Sequence, residues 1–242
     1  MQPNKDSDED TSAVFGMLNL LQFADSQFPS GSFAFSGGLE ALFNDQKIST
    51  PEQVYDFIAA QLTHRWNSLD RVALCRSFNL CRSFKQTSQV DDLVSIDKEV
   101  DALTLSEGLR NGSCRNGAAL LSIHSRLGTA YCKEYRQLIH CGEAPGHIAV
   151  IQGLVWSKNS FSELQAQAAS AHGVCTDLLG AAMRLGKLGH LHAQLIRQNL
   201  SLLASELLSE RVSNQQLMHS YLPATEIAAM RHEVSDQRLF AN

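Results

Sequence analysis

Residues 160–185 read SFSELQAQAASAHGVCTDLLGAAMRL. Phe161, Leu164, Ala168, Ala171, Cys175, Leu178, Ala182 and Leu185 recur at spacings of three and four, the period of one helix face. Ser160 stands three residues before Glu163, a capping-box spacing that predicts a helix start. The middle of the seam is small, so a neighbouring helix can approach closely. Gly186-Lys187-Leu188-Gly189 ends the run. A second helix is expected from there to about Ser209, with Leu188, Leu191, Leu195, Leu202 and Leu203 as core positions.

Outward from this pair the pattern stays helical. Thr50-Pro51-Glu52-Gln53 combines a capping Thr, a Pro at the first helical position and a box-closing Gln, and Val54, Ile58 and Leu62 then share a face. The stretch 70–84 also reads as helix, while 85–103 is polar and ambiguous. Thr104 with Glu107 predicts another start, with Leu105, Leu109, Gly112, Ala119, Ile123 and Leu127 on one face. Met17, Leu20, Leu21 and Ala24 repeat at helical spacing near the N-terminus, and a short helix is expected from about Ala224 to His232. No apolar/polar alternation and no hairpin dipeptide argue for a strand. The expected fold is all-α: a single compact bundle-like domain of about eight to ten helices over residues 14–242, after a disordered acidic tail at 1–13.

The chain has 242 residues, 44% hydrophobic and 19% charged, with a net charge of -5. That apolar content can bury a core and argues against disorder throughout. The acidic balance argues against a nucleic-acid binder that relies on bulk charge. Residues 1–10 hold Lys5 against Asp6, Asp8, Glu9 and Asp10, so the rest of the chain is close to neutral. A charged fraction below the usual ~25% leaves weakly solvated surface, which suits partners or self-association. The six cysteines form no CxxC and lie in helical stretches, as expected of reduced thiols in a cytoplasmic protein. The polar N-terminus does not read as a signal peptide, and no run reaches the ~18 apolar residues expected of a membrane span.

No phosphate-binding glycine loop, HExxH or GxSxG occurs. Asp91-Asp92 and His190-x-His192 are the remaining metal-type pairs. On a helix, however, residues two apart point about 200° from each other, and two ligands rarely make a site. An all-α metal-dependent enzyme using Asp91, Asp92, His190 and His192 is nevertheless one alternative, and a helical adaptor is another. Three segments look over-specified for packing alone. Residues 28–40, FPSGSFAFSGGLE, contain Pro29, Gly31, Phe33, Ser36, Gly38 and Glu40 in a tight aromatic-walled turn. Residues 183–190, MRLGKLGH, gather Arg184, Gly186, Lys187 and Gly189 at a helix end, where basic groups suit the dipole or meet a partner. The chain ends with Arg231-His232-Glu233 and Arg238-Leu239-Phe240, an apolar tail expected to dock in a groove on this chain or another.

These segments, with Leu20-Leu21-Gln22 before the first and with Glu107-Gly108-Leu109-Arg110, Ser113 and Gly117, resemble the F-type urease accessory proteins (UreF) in four stretches, in order, from residue 20 to 240. Lys187 and His190 stand where that family commonly has Pro and Gln. The resemblance implies a non-enzymatic cytoplasmic scaffold, all-α and homodimeric. It would bridge the D/H-type urease accessory protein and the G-type GTPase, and serve the urease apoprotein. No stably bound cofactor is implied, because nickel is handled by the complex; nor is nucleic acid or a membrane. It also implies that Arg231, His232, Glu233, Arg238, Leu239 and Phe240 dock on the D/H-type protein. The turn from Arg184 to His190 would lie near the dimer and GTPase side.

Overall fold

The computed structural model describes residues 5–25, 28, 35–84, 90–213, 215–233 and 239–240. Eleven α-helices follow one another: α1 (Lys5–Ala24), α2 (Leu39–Asn44), α3 (Pro51–Gln61), α4 (Arg71–Arg82), α5 (Val90–Leu103), α6 (Glu107–Leu127), α7 (Cys132–His140), α8 (Ile148–Ser157), α9 (Glu163–Arg184), α10 (His190–Ser209) and α11 (Pro223–Glu233). A π-helical stretch, Leu62–Asp70, joins α3 to α4 without a break, so the described residues form ten separate rods and no strand. The all-α reading holds. Helix α1 begins at Lys5, inside the stretch expected as an acidic tail.

Helix starts follow local chemistry. Thr50 and Gln53 form the expected reciprocal box. The other two helix starts are displaced by two residues. Ser162, not Ser160, caps α9 and pairs with Gln165; Ser160 sits at a positive φ of 61°. Ser106, not Thr104, caps α6, while Thr104 is buried and donates its hydroxyl to Val100 O at the end of α5. SxxE and SxxQ overlap at 160–165, and either satisfies the same rule.

The core has two parts. One gathers α4, α5, α7 and α8 around Leu74, Phe78, Leu93, Val100, Tyr135, Ile151 and Leu154. The other gathers α2, α3, α9 and α10 around Leu39, Ile58, Trp66, Leu178, Leu179, Ile196 and Phe240. Helix α9 belongs to both, through Ala166 and Ala169 on one side and Ala171, Cys175 and Ala182 on the other. It is therefore buried more broadly than a narrow seam, while Leu164, expected inside, is 58% exposed.

Two other faces also depart from expectation. On α6 the buried stripe is Gly108, Gly112, Gly117, Leu120, Leu121 and His124, and Leu105 and Leu127 are exposed. A Cβ on Gly117 would lie 2.0 Å from Gly146 O, so the backbone entering α8 rests directly on this helix. On α10, Ala193, Ile196 and Leu200 are buried, and Leu191, Leu195 and Leu202 face outward.

Buried polar groups tie the rods together. Trp66 Nε1 donates to Ser170 Oγ at 3.1 Å, which donates to Gln152 Oε1 at 3.0 Å, linking the π stretch, α9 and α8. Arg71 donates to Gln167 Oε1 at 2.7 Å, Asn67 Oδ1 at 2.7 Å, Leu207 O at 2.8 Å and Glu210 O at 2.5 Å. A buried guanidinium thus satisfies carbonyls at the end of α10, where the helix dipole also favours a cation. Carbonyls of the π stretch are used as well: His219 N donates to Ser68 O and Tyr221 N to His64 O, which fastens the link into α11.

Candidate functional site

Ser36-Gly37-Gly38-Leu39-Glu40 builds the N-terminus of α2. Ser36 O accepts from Leu39 N at 3.1 Å, and Ser36 Oγ accepts from Glu40 N at 3.4 Å. Gly38 has φ 86°, a conformation disfavoured for side-chain-bearing residues. A Cβ there would lie 3.1 Å from Thr225 O and 3.4 Å from Ala229 N. The glycine therefore lets α11 lie against the start of α2. Gln61 Nε2, at the end of α3, donates to Thr225 Oγ1 at 3.0 Å and ties α11 to α3 as well.

Glu40 is only 4% exposed, yet it carries a carboxylate. Its acceptor capacity is taken up by distant groups. Leu239 N donates to Oε1 at 2.7 Å, Phe240 N to Oε2 at 3.0 Å, and His232 Nε2 to Oε2 at 2.7 Å. Burying such a group is tolerable only with this many donors. Phe240 completes the second core, and the Arg184 guanidinium lies 4.5 Å from its ring centroid. The tail therefore docks in a groove of its own chain. Leu239 beside it is 64% exposed, as are Ile227 at 56% and Met230 at 42%. Arg231 pairs with Asp45 at 2.7 Å on the same surface, an exposed contact of at most ~1 kcal/mol.

Three of the segments singled out in the sequence thus converge: Ser36, Gly38 and Glu40; Arg184; and Arg231, His232, Leu239 and Phe240. Pro29, Gly31, Phe33 and Arg238 lie outside the described residues, as does the side chain of Glu233. Gly186, Lys187 and Gly189 form an exposed turn after α9. Asp91 and Asp92 are exposed in the first turn of α5, where the helix dipole favours acids. His190 and His192 are exposed at the start of α10, and none of these four belongs to a metal-type cluster among the described residues.

A second polar node escaped sequence reasoning. Asp97, fully buried, accepts from Tyr135 Oη at 2.7 Å, Gly146 N at 2.6 Å and His147 N at 2.9 Å. It fixes the loop before α8 so that His147 enters the protein. His147 Nδ1 meets Ser113 Oγ at 3.0 Å and Nε2 meets Asp101 Oδ1 at 3.1 Å. Cys114 completes a group whose donor atoms all lie within 4.8 Å of one another. Burial and the nearby carboxylates of Asp97 and Asp101 push the Cys114 thiol up to about 12. Asp101, Cys114 and His147 sit on three elements and share no local spacing; only Ser113, in the second resembling stretch, pointed there.

Between α1, the π stretch, α6, α8 and α9 lies a cavity of about 280 Å³, walled by Phe23, Arg65, Trp66, Asn116 and Trp156 among others. All six cysteines are free thiols. No helix among the described residues is long and apolar enough to cross a membrane.

A sequence model of the UreF family matches residues 48–201. The chain belongs to the UreF family. A urease accessory protein UreF of Trichodesmium erythraeum (strain IMS101) is 34% identical over 238 residues, covering 96% of this chain and 99% of that protein. Urease accessory protein UreF 1 of Brucella melitensis biotype 1 is 29% identical over 94% of this chain and 93% of its own. A UreF protein of Photorhabdus laumondii subsp. laumondii is 27% identical, covering 93% and 98%. Membership in the UreF family makes the chain a urease accessory protein with a part in urease maturation, not a catalyst in its own right.

Proposed function

We propose that the chain is a cytoplasmic scaffold of urease maturation that bridges a D/H-type accessory protein and a nickel-carrying G-type GTPase for delivery of nickel to the urease apoprotein. The observation that carries this reading is the gathering of residues 36–40, Arg184 and the tail around Glu40. A buried carboxylate holding a chain terminus in place is costly for packing alone, and it gives a fixed surface instead of a loose end. That surface carries exposed Ile227, Met230 and Leu239 with Arg231 beside them. Apolar anchors with a flanking arginine are the kind of centre that protein interfaces use.

On this reading the D/H-type protein meets Arg231, Leu239 and their neighbours. Ser36, Gly38, Glu40, His232 and Phe240 hold that face from beneath. Glu233 and Arg238, with Pro29, Gly31 and Phe33, complete the two segments. The exposed turn with Arg184, Gly186, Lys187 and Gly189 serves the GTPase side. The outward leucines of α10, Leu191, Leu195 and Leu202, share one helix face and support self-association as a homodimer. Nickel is cargo of the complex, and the scaffold role itself requires no stably bound cofactor.

Co-purification tests the proposal. The folded chain should capture the D/H-type protein and a P-loop GTPase together, and the assembly should activate apo-urease only when nickel is supplied. A folded chain that captures neither partner contradicts it.

A further inference from the structure

We infer that Asp101, Cys114 and His147 form a binding site for one divalent transition cation of borderline softness, the class that includes Zn²⁺, Co²⁺ and Ni²⁺. The inference is independent of the scaffold reading, since it rests on donor atoms remote in sequence from the tail, α2 and α11.

The donor set is chemically coherent. One imidazole, one thiol and one carboxylate oxygen lie within 4.8 Å of one another. Mixed nitrogen, sulfur and oxygen donors suit this class of cation better than Mg²⁺ or Ca²⁺, which prefer oxygen alone. Bond lengths to such an ion run ~2.0–2.3 Å. Asp101 and Cys114 are only partly buried and can close on an ion by side-chain rotation; His147, fully buried, is the fixed point.

The surroundings orient that fixed point. Ile148 N donates to Ser113 Oγ at 3.3 Å, and the same oxygen lies 3.0 Å from His147 Nδ1. The other ring nitrogen, Nε2, lies 3.1 Å from Asp101 Oδ1. A proton on Nε2 makes this contact a hydrogen bond in the free protein; a cation that takes Nε2 displaces it, and the ring proton then sits on Nδ1, towards Ser113 Oγ. Holding the far nitrogen of a ligand histidine is a usual outer-layer device at metal sites. Asp97 adds a second layer by pinning His147 N and Gly146 N.

Access is open. The Asp101 side chain is 45% exposed, so an ion can enter from solvent and keep a water as its fourth ligand. On binding, the Cys114 S–H bond breaks, the proton leaves to solvent and the sulfur lone pair goes to the metal. The donors span the end of α5, the middle of α6 and the start of α8, so a bound ion also clamps those three helices.

The test uses the full-length, reduced and chelator-stripped protein, titrated anaerobically with Co²⁺. Near-ultraviolet thiolate-to-cobalt absorption should saturate at one equivalent per chain. Cys114→Ser should abolish that absorption, and Asp101→Asn should weaken Co²⁺ binding at least ~10-fold, about 1.4 kcal/mol. Cys141→Ser, at an exposed thiol elsewhere, should leave both unchanged. Circular dichroism checks the fold of each variant. If Cys114→Ser fails to fold, the half-exposed Asp101→Asn carries the test. Absence of the absorption in the wild type, its survival in Cys114→Ser, its loss in Cys141→Ser, or unchanged affinity in Asp101→Asn overturns the site.

Discussion

Glu40 Oε2 and His232 Nε2 meet at 2.7 Å although 192 residues separate them, and both side chains are almost fully buried. Through this contact and the two backbone N–H groups of Leu239 and Phe240, the second helix holds the end of the chain.

Glu40→Ala should therefore unfasten the tail. It strands two buried donors and one part-buried donor, each worth ~1–3 kcal/mol at most, of which solvent recovers part when the tail lifts. A net loss of about 3 kcal/mol is expected, lowering Tm by roughly 6–12 °C. Calorimetry reads the stability, and hydrogen exchange at Leu239 and Phe240 should rise towards that of a free peptide. Unchanged protection at those two amides would mean that Glu40 does not hold the tail.

Glycine substitutions should differ in sign by position. Gly38→Ala must take up φ 86° and push against Thr225 O, at a cost of about 2 kcal/mol. Gly117→Ala would overlap Gly146 O and should cost more than Gly38→Ala. Gly173→Ala lies within α9 with open space around its Cβ, and should stabilise by ~0.5–1 kcal/mol. Urea midpoints of the three variants check the order.

Acid should weaken the fold through His124. Its ring packs at 5.0 Å from Phe23 and 5.9 Å from Phe28, and burial holds it down to about 4 from an ordinary 6.5. The unfolded chain binds a proton that the folded chain refuses. Stability is therefore retained above pH 6.5 and falls as pH drops from there towards 4, by at most ~1.4 kcal/mol per unit. Denaturant midpoints at pH 7 and pH 5 should diverge in the wild type and converge in His124→Gln.

Self-association should depend on the outward leucines of α10. Leu195→Glu, at a position 53% exposed, should leave folding intact and yield a species at the chain mass of 26.6 kDa in light scattering. A dimer that survives this charge places the interface elsewhere.

Sequence patterns revealed helix existence better than helix orientation. Val54, Ile58 and Leu62 are all fully buried, as their shared face required. Helix α10 runs to Ser209 and α11 covers Pro223–Glu233, close to expectation. Leu191, Leu195 and Leu202 were misplaced because periodicity finds an apolar stripe without saying whether this chain or another covers it. On α6 the leucines misled, since its closest packing is made by glycine backbone against Gly146, which a hydrophobic count cannot register. The π stretch at 62–70 left no signal, because its residues keep forming a helix and only the hydrogen-bond register changes. At the candidate site the three converging segments were visible as motifs, but their meeting at Glu40 was not. The cluster of Asp101, Cys114 and His147 was invisible for the same reason: tertiary structure alone brings its members together.

The most direct test of the scaffold reading is the affinity of the D/H-type accessory protein for the wild type and for Leu239→Asp, measured by isothermal titration. Leu239 is exposed and its backbone N–H, not its side chain, binds Glu40, so the variant keeps the tail docked. A loss of at least ~10-fold in Kd with unchanged Tm is expected if this face receives the partner. Equal affinities for the two proteins would contradict it.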